Sequence, residues 1–212
     1  MEKRDPRVGC YAFISTADLL DSAPIAVSTP EDEARLAALV RTRDREDYIA
    51  ARILTRLLLS RCAGVEYLSV RIRQRYEACD GSHGKPEVIF PTGYHVSWAH
   101  HQGFVAAAAA NSDVGIDLIA RTRSPWPTES WAVPGIDPGD LSKAEALFKA
   151  GVGDSLDQLL TLNYSLNSAP FINRRNRCVR LRRHSTDDVE VCVASAQDVL
   201  PVSVHGLLGE RT

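Results

Sequence analysis

A short apolar run broken by a single carboxylate, Val114-Gly115-Ile116-Asp117-Leu118-Ile119, constrains this chain more than any other segment. The run predicts a strand, and a charge set into such a strand is costly unless it is paired or bound to a metal. Asp117 is therefore expected to face a partner. Downstream, Leu141-Ser-Lys-Ala-Glu145-Ala-Leu-Phe-Lys149-Ala150 reads as a helix carrying a second carboxylate and an amine one turn apart. Magnesium takes one or two protein carboxylates and completes its octahedron with phosphate oxygens and water. Asp117 and Glu145 are thus candidate metal ligands, and Asp117, Glu145 and Lys149 candidate catalytic residues for phosphate chemistry. A purely structural reading stands beside this one. Ser142 and Glu145 have the spacing of a capping box, and Glu145 with Lys149 would form an i,i+4 ion pair worth about 0.2–0.5 kcal/mol.

After Thr29-Pro30, the acidic turn Glu31-Asp32-Glu33 marks a helix start, and Ile49, Ile53, Leu54, Leu57 and Leu58 recur at helical spacing, so helix is expected across 31–62. Arg45, Arg52 and Arg56 fall on roughly one side of it, either a solvated basic face or one that grips phosphate. Val70 and Ile72 alternate with Arg71 and Arg73 as in a half-buried strand, ended by the turn-rich segment Cys79–Pro86. Further strands are expected at 94–98, 104–110, 114–119, 179–182 and 189–195. Pro125, Pro127, Pro134 and Pro138 predict an irregular connection over 121–139. The class is α+β. Each half of the chain, 1–110 and 111–212, holds a helix followed by antiparallel strands, so two similar halves are expected.

The 212 residues are 44% hydrophobic and 25% charged, ordinary for a soluble globular protein. A net charge of −2 gives no general attraction to nucleic acid or membranes. The five cysteines are odd in number, widely spaced and lack a C-x-x-C pair, which predicts reduced thiols in a cytoplasmic protein rather than disulfides or a zinc site. The longest apolar run, Phe104–Ala110, is too short to span a bilayer.

Five segments stand in order along the chain: Ala51-Arg52, Gly84-Lys85-Pro86, Tyr94-His95-Val96-Ser97-Trp98-Ala99, Gly115-Ile116-Asp117, and Leu141 to Lys149. Together, from about Arg41 to Lys149, the chain resembles the 4′-phosphopantetheinyl transferases of the Sfp-like, pseudodimeric type. That family shows an A-R pair on an Arg-rich helix, a G-K-P turn, an F-N-x-S-H-S strand, a G-[IV]-D-x-E strand and a W-x-x-K-E-A-x-x-K helix. The resemblance implies two similar α/β halves forming a pseudodimer with the active site in the cleft between them. Residues 1–110 would bind the nucleotide of coenzyme A, and 111–212 would supply the metal and the catalytic helix. It implies magnesium-dependent transfer of the 4′-phosphopantetheine arm to a serine of an acyl or peptidyl carrier protein, as in natural-product assembly, releasing adenosine 3′,5′-bisphosphate. A monomer is expected, because the two halves already supply the cleft.

By the same resemblance, Asp117 and Glu145 hold the metal, Glu145 accepts the serine proton, and Lys149 steadies the phosphate that is attacked. Ser97 contacts a coenzyme A phosphate, and Lys85 and Pro86 lie along the nucleotide. Arg41, Arg45 and Arg52 are candidates for the 3′-phosphate, and the Trp98 indole for stacking on a ligand ring. The chain departs from the family at Ile119, where a carboxylate is usual, at Trp98, where a histidine is usual, and at Leu141 and Ala144, where an aromatic residue and a lysine are usual. The connector between Asp117 and Glu145 is also short and rich in proline. These departures keep open a non-catalytic relative that binds coenzyme A or a carrier protein as an accessory, or coincidental motif matches in a small α+β domain.

Overall fold

The computed structural model describes residues 9–23, 29–74, 84–121, 137–161 and 170–208. In chain order the first elements are β1 (Gly9–Ser15), α1 (Thr16–Ser22), α2 (Pro30–Ala38), α3 (Thr42–Ala63), β2 (Arg71–Gln74), β3 (Pro86–Phe90), β4 (His95–His101), β5 (Phe104–Ala110) and β6 (Val114–Ala120). Then follow α4 (Pro138–Lys149), α5 (Leu156–Thr161), β7 (Phe171–Ile172), β8 (Cys178–Ser185), β9 (Val189–Ser195), β10 (Val199–Pro201) and α6 (Val204–Leu208).

Side-chain alternation along β5 sets the layers. Val105, Ala107 and Ala109 enter one core cluster, while Ala106, Ala108 and Ala110 enter another, and all six are fully buried. The first cluster lies between a sheet of order β10-β1-β5-β4 and α3, whose Leu54, Leu58 and Leu59 are wholly excluded from water. Each such leucine stabilises the fold by about 1.5–3 kcal/mol relative to an exposed position. The second cluster lies between this sheet and another, β6-β9-β8-β7, which is antiparallel throughout. The far face of the second sheet is covered by α4 and α5. The layers therefore run helix, sheet, sheet, helix, and the α+β class is observed. β2 and β3 form a separate antiparallel ribbon. Among the described residues no helix is long and apolar enough to cross a membrane.

The two sheets meet at their edge strands. Cα atoms of β4 and β6, and of β5 and β6, come within 8 Å of each other, nearer than the roughly 10 Å of ordinary stacked sheets. Alanine on β5 permits this approach. Because β6 pairs with β9 on one side only, its other edge is satisfied by side chains of β4. Ser97 Oγ accepts the Ile116 N–H at 3.1 Å, and His101 Nδ1 accepts the Ala120 N–H at 3.0 Å.

Several expectations are corrected. The helix expected across 31–62 is two helices, α2 and α3, with Leu39 and Arg41 in extended backbone conformations between them. The reason is a contact: the Tyr48 hydroxyl donates to Asp32 Oδ1 at 2.8 Å, whereas a continuous helix would hold those residues roughly 24 Å apart. The basic face is not solvated at Arg52 or Arg56, which are 7% and 2% exposed. Cys10 and Cys62 are joined as a disulfide between β1 and α3, where reduced thiols are expected from the spacing; Cys178 and Cys192 are free. The spacing could not show this, since the two sulfurs are brought together only by packing of α3 on β1. The strands β1, β3 and β10 have no counterpart in the sequence reading. Cys79 and most of the proline-rich connection expected at 121–139 lie outside the described residues.

Two predictions follow from this packing. Gly115 on β6 lies directly under α4: a Cβ built there would sit 2.0 Å from the Ala146 carbonyl oxygen and 2.6 Å from the Ala150 nitrogen. Gly115→Ala should cost about 3 kcal/mol, the upper end for overpacking, measured as a fall in urea midpoint. The second concerns acid. To accept from Ala120, His101 must be neutral, and burial pushes His95, His100 and His101 all below the ordinary histidine range. Asp117 and Asp47 oppose this at His101, while His100 and Arg43 reinforce it. The unfolded chain thus binds more protons below about pH 6.5, so stability should fall as pH drops through that value. Urea titrations between pH 7.5 and 5.5 should show the fall, with a shallower slope in His101→Gln.

Candidate functional site

A cleft of about 730 Å³ opens between β4, the turn before β3 and the C-terminal half of α4. Lys85, Pro86, Ser97, Trp98, Glu145 and Lys149, all singled out in the sequence, line it. So do Gln74, Phe148, Gly151, Leu156 and Arg174, which the sequence reading missed. Phe148 lies within the Leu141–Lys149 motif but was not singled out, and Gly151 and Leu156 lie beyond it; α4 and α5 bring them to the cleft through their packing on the second sheet.

The position of Glu145 is set by where α4 begins. Asp137 caps the helix, its side chain accepting the Gly139 N–H at 2.8 Å, and Pro138 occupies the first turn. Ser142 is therefore internal and fully buried, which removes the capping-box role suggested by its spacing to Glu145. One turn later, Lys149 Nζ reaches Asp117 Oδ1 at 2.7 Å, Glu145 Oε2 at 3.5 Å and the Ile116 carbonyl at 3.1 Å. The expected meeting of strand and helix is observed. Asp117, 8% exposed, is thereby paired as its place in an apolar run requires.

Two carboxylates share one ammonium here, and the imbalance falls on Glu145. Burial, and then the negative charge of Asp117, push its carboxyl above the ordinary range, with Lys149 opposing. Ile119, on the same face two residues beyond Asp117, adds no ligand. Its cross-strand neighbour Glu190 is drawn away by Arg183 at 2.5 Å and Arg121 at 3.3 Å. Among the described residues no group of three His, Cys, Asp or Glu side chains gathers at one point. Asp117 and Glu145, the two carboxylates that meet at Lys149, are too few for a closed zinc site.

The opposite wall is held by a relay that starts at Asp32. Arg52 Nε lies 3.0 Å from Asp32 Oδ1, close enough for ion pairing though not aligned as a hydrogen bond. Its Nη2 donates to the Tyr48 hydroxyl at 2.7 Å and to Gln74 Oε1 at 2.9 Å, and Gln74 Nε2 donates to the Gly84 carbonyl at 2.7 Å. The guanidinium also lies 4.3 Å from the Trp98 ring centroid. Arg52 thus anchors the turn that carries Lys85, and Trp98 offers the cleft whatever ring surface Arg52 leaves. Arg41 and Arg45 are exposed at the start of α3 and do not line the cleft.

A second hub, Asp113, was not singled out in the sequence, where it falls between the expected strands at 104–110 and 114–119. It is 3% exposed. Asn173 Nδ2 donates to it at 3.0 Å, and Arg175, His95 and Lys85 lie at 3.2, 3.8 and 4.0 Å. Burial lowers the Lys85 pKa, with Asp113 opposing.

Because the Glu145 carboxyl is raised in the folded state, its contribution to stability is fully present below about pH 4.5 and is lost as pH rises through the folded value. Glu145→Gln should therefore melt at or above the wild-type temperature at pH 7.5, an advantage that shrinks toward pH 4.5 in calorimetry. No protein-family model matches this chain, and no curated protein matches it.

Proposed function

We propose that the cleft binds coenzyme A and transfers its 4′-phosphopantetheine arm to a serine of an acyl or peptidyl carrier protein. The observation that carries this reading is the convergence of Asp117 and Glu145 on Lys149, beside a cleft that Glu145, Lys149, Ser97, Lys85 and Pro86 line and Asp117 itself does not. The helix-backed sheets on either side support reading the molecule as a pseudodimer of related halves, with the end of the 111–212 half, β10 and α6, crossing over to pack on β1 and α3 of the 1–110 half. Magnesium, held by Asp117 and Glu145 and by the diphosphate of the substrate, would neutralise charge on the leaving nucleotide. Glu145, with its raised pKa, is suited to take the proton of the carrier serine as the oxygen attacks phosphorus. Lys149 would hold the attacked phosphate, and the bond to adenosine 3′,5′-bisphosphate would break. A non-catalytic relative remains the alternative, favoured by the ammonium of Lys149 that already engages Asp117 and by Ile119 in place of a carboxylate.

The test is intact-mass measurement of an apo carrier protein incubated with coenzyme A, magnesium and the chain. Addition of the phosphopantetheine mass is expected. Asp117→Ala and Glu145→Ala should reduce turnover by at least about a hundredfold, and Cys178→Ser, at an exposed free thiol, should leave it unchanged. Coenzyme A binding without transfer to any of several carriers would favour the accessory reading, and normal turnover by Glu145→Ala would remove the catalytic assignment.

A further inference from the structure

A second, smaller cavity of about 240 Å³ lies beyond the Arg52 relay, between α2, α3 and β2. Arg52, Arg56, Arg71 and Arg73 are among the residues that line it. Among the described residues, two carboxylates pair with these four: Asp32, and Glu87, which meets Arg73 at 2.6 Å. Asp32 is already spent. Its Oδ1 receives the Tyr48 hydroxyl and faces Arg52, and its Oδ2 accepts the Thr29 N–H as part of the α2 capping box. Arg56 is left with a distant ion pair, Nη2 to Asp32 Oδ2 at 3.8 Å.

Arg56 is 2% exposed, and among the described residues its Nε and Nη1 have no hydrogen-bond partner. The Tyr67 hydroxyl, which feels the Arg56 charge, is also buried without one. A buried guanidinium that keeps its charge but lacks acceptors is among the costlier features a core can hold. A planar fork of N–H donors matches the oxygens of a tetrahedral oxyanion. We infer that this cavity is an anion site, separate from the transfer cleft, that takes a phosphate group on Arg56 and Arg71. The phosphate is either a free ion or the end of a ligand reaching across from the cleft, since Gln74 lines both cavities.

Thermal unfolding of the full chain separates these outcomes. Inorganic phosphate should raise the melting temperature above a chloride control of equal ionic strength. The apparent Kd should weaken about tenfold in Arg71→Gln, at the exposed rim, and in Arg56→Lys, which keeps the buried charge but loses the fork. A second arm uses adenosine 3′,5′-bisphosphate in phosphate-free buffer. If free phosphate is inert but the nucleotide stabilises and both substitutions weaken it, the phosphate arrives on a cleft ligand and the site stands. Glu145→Gln should respond as the wild type does in the phosphate arm, so loss of the transfer reading would not remove this one. No stabilisation in either arm, or stabilisation unaffected by both arginine substitutions, would overturn the assignment.

Discussion

Two edge strands that do not pair with each other hold this molecule together. β4 ends the first sheet and β6 ends the second, and at their meeting the backbone ladder stops. An open strand edge presents unpaired amides and carbonyls. Here Ser97, His101 and Lys149 satisfy three of them on β6 with side-chain atoms. The seam tolerates only small residues on the β5 side, which is why a run of alanines occupies the centre of the core. It also explains the composition of the cleft, because Ser97 and Lys149 serve the seam and line the cavity at once.

Charge is distributed around that seam with deliberate shortfalls. Beside the cleft two carboxylates share one lysine, and Glu145 absorbs the excess as a raised pKa. Beside α3 the sign is reversed, and two arginines share Asp32. Either imbalance weakens the fold in the absence of a counter-charge, since buried ions are tolerated only when paired. Both are therefore places where an ion of the missing sign would be favourable: a cation at the acidic pair, an anion at the basic one. Asp113, by contrast, is surrounded by Asn173, Arg175, His95 and Lys85, and ties the β3 turn to the β7–β8 turn.

Much of the local structure could be read along the chain. The strands around 94–98, 104–110, 114–119, 179–182 and 189–195 coincide with β4, β5, β6, β8 and β9 within a few residues, because alternation and β-branched content act locally. The helix containing Glu145 and Lys149 was legible for the same reason, though its start was not: Ser142 has the right spacing for a cap, and Asp137 takes the role. The break between α2 and α3 escaped the pattern because it serves a distant contact, Asp32 with Tyr48 and Arg52. β1 and β10 escaped because a parallel pairing between the first and last strands leaves no short-range signature.

The sequence by itself determined which residues alternate, which are helical, and that Asp117 had to find a partner, since a carboxylate in an apolar strand cannot be left unpaired. Tertiary structure alone decided who the partners are. It placed Lys149 on Asp117, turned Glu190 toward Arg183, drew Arg52 to Asp32 and Trp98, and left Arg56 short of acceptors. The reason is physical: periodicity records which side of an element faces inward, but the charge that meets a given side chain depends on how separate elements stack.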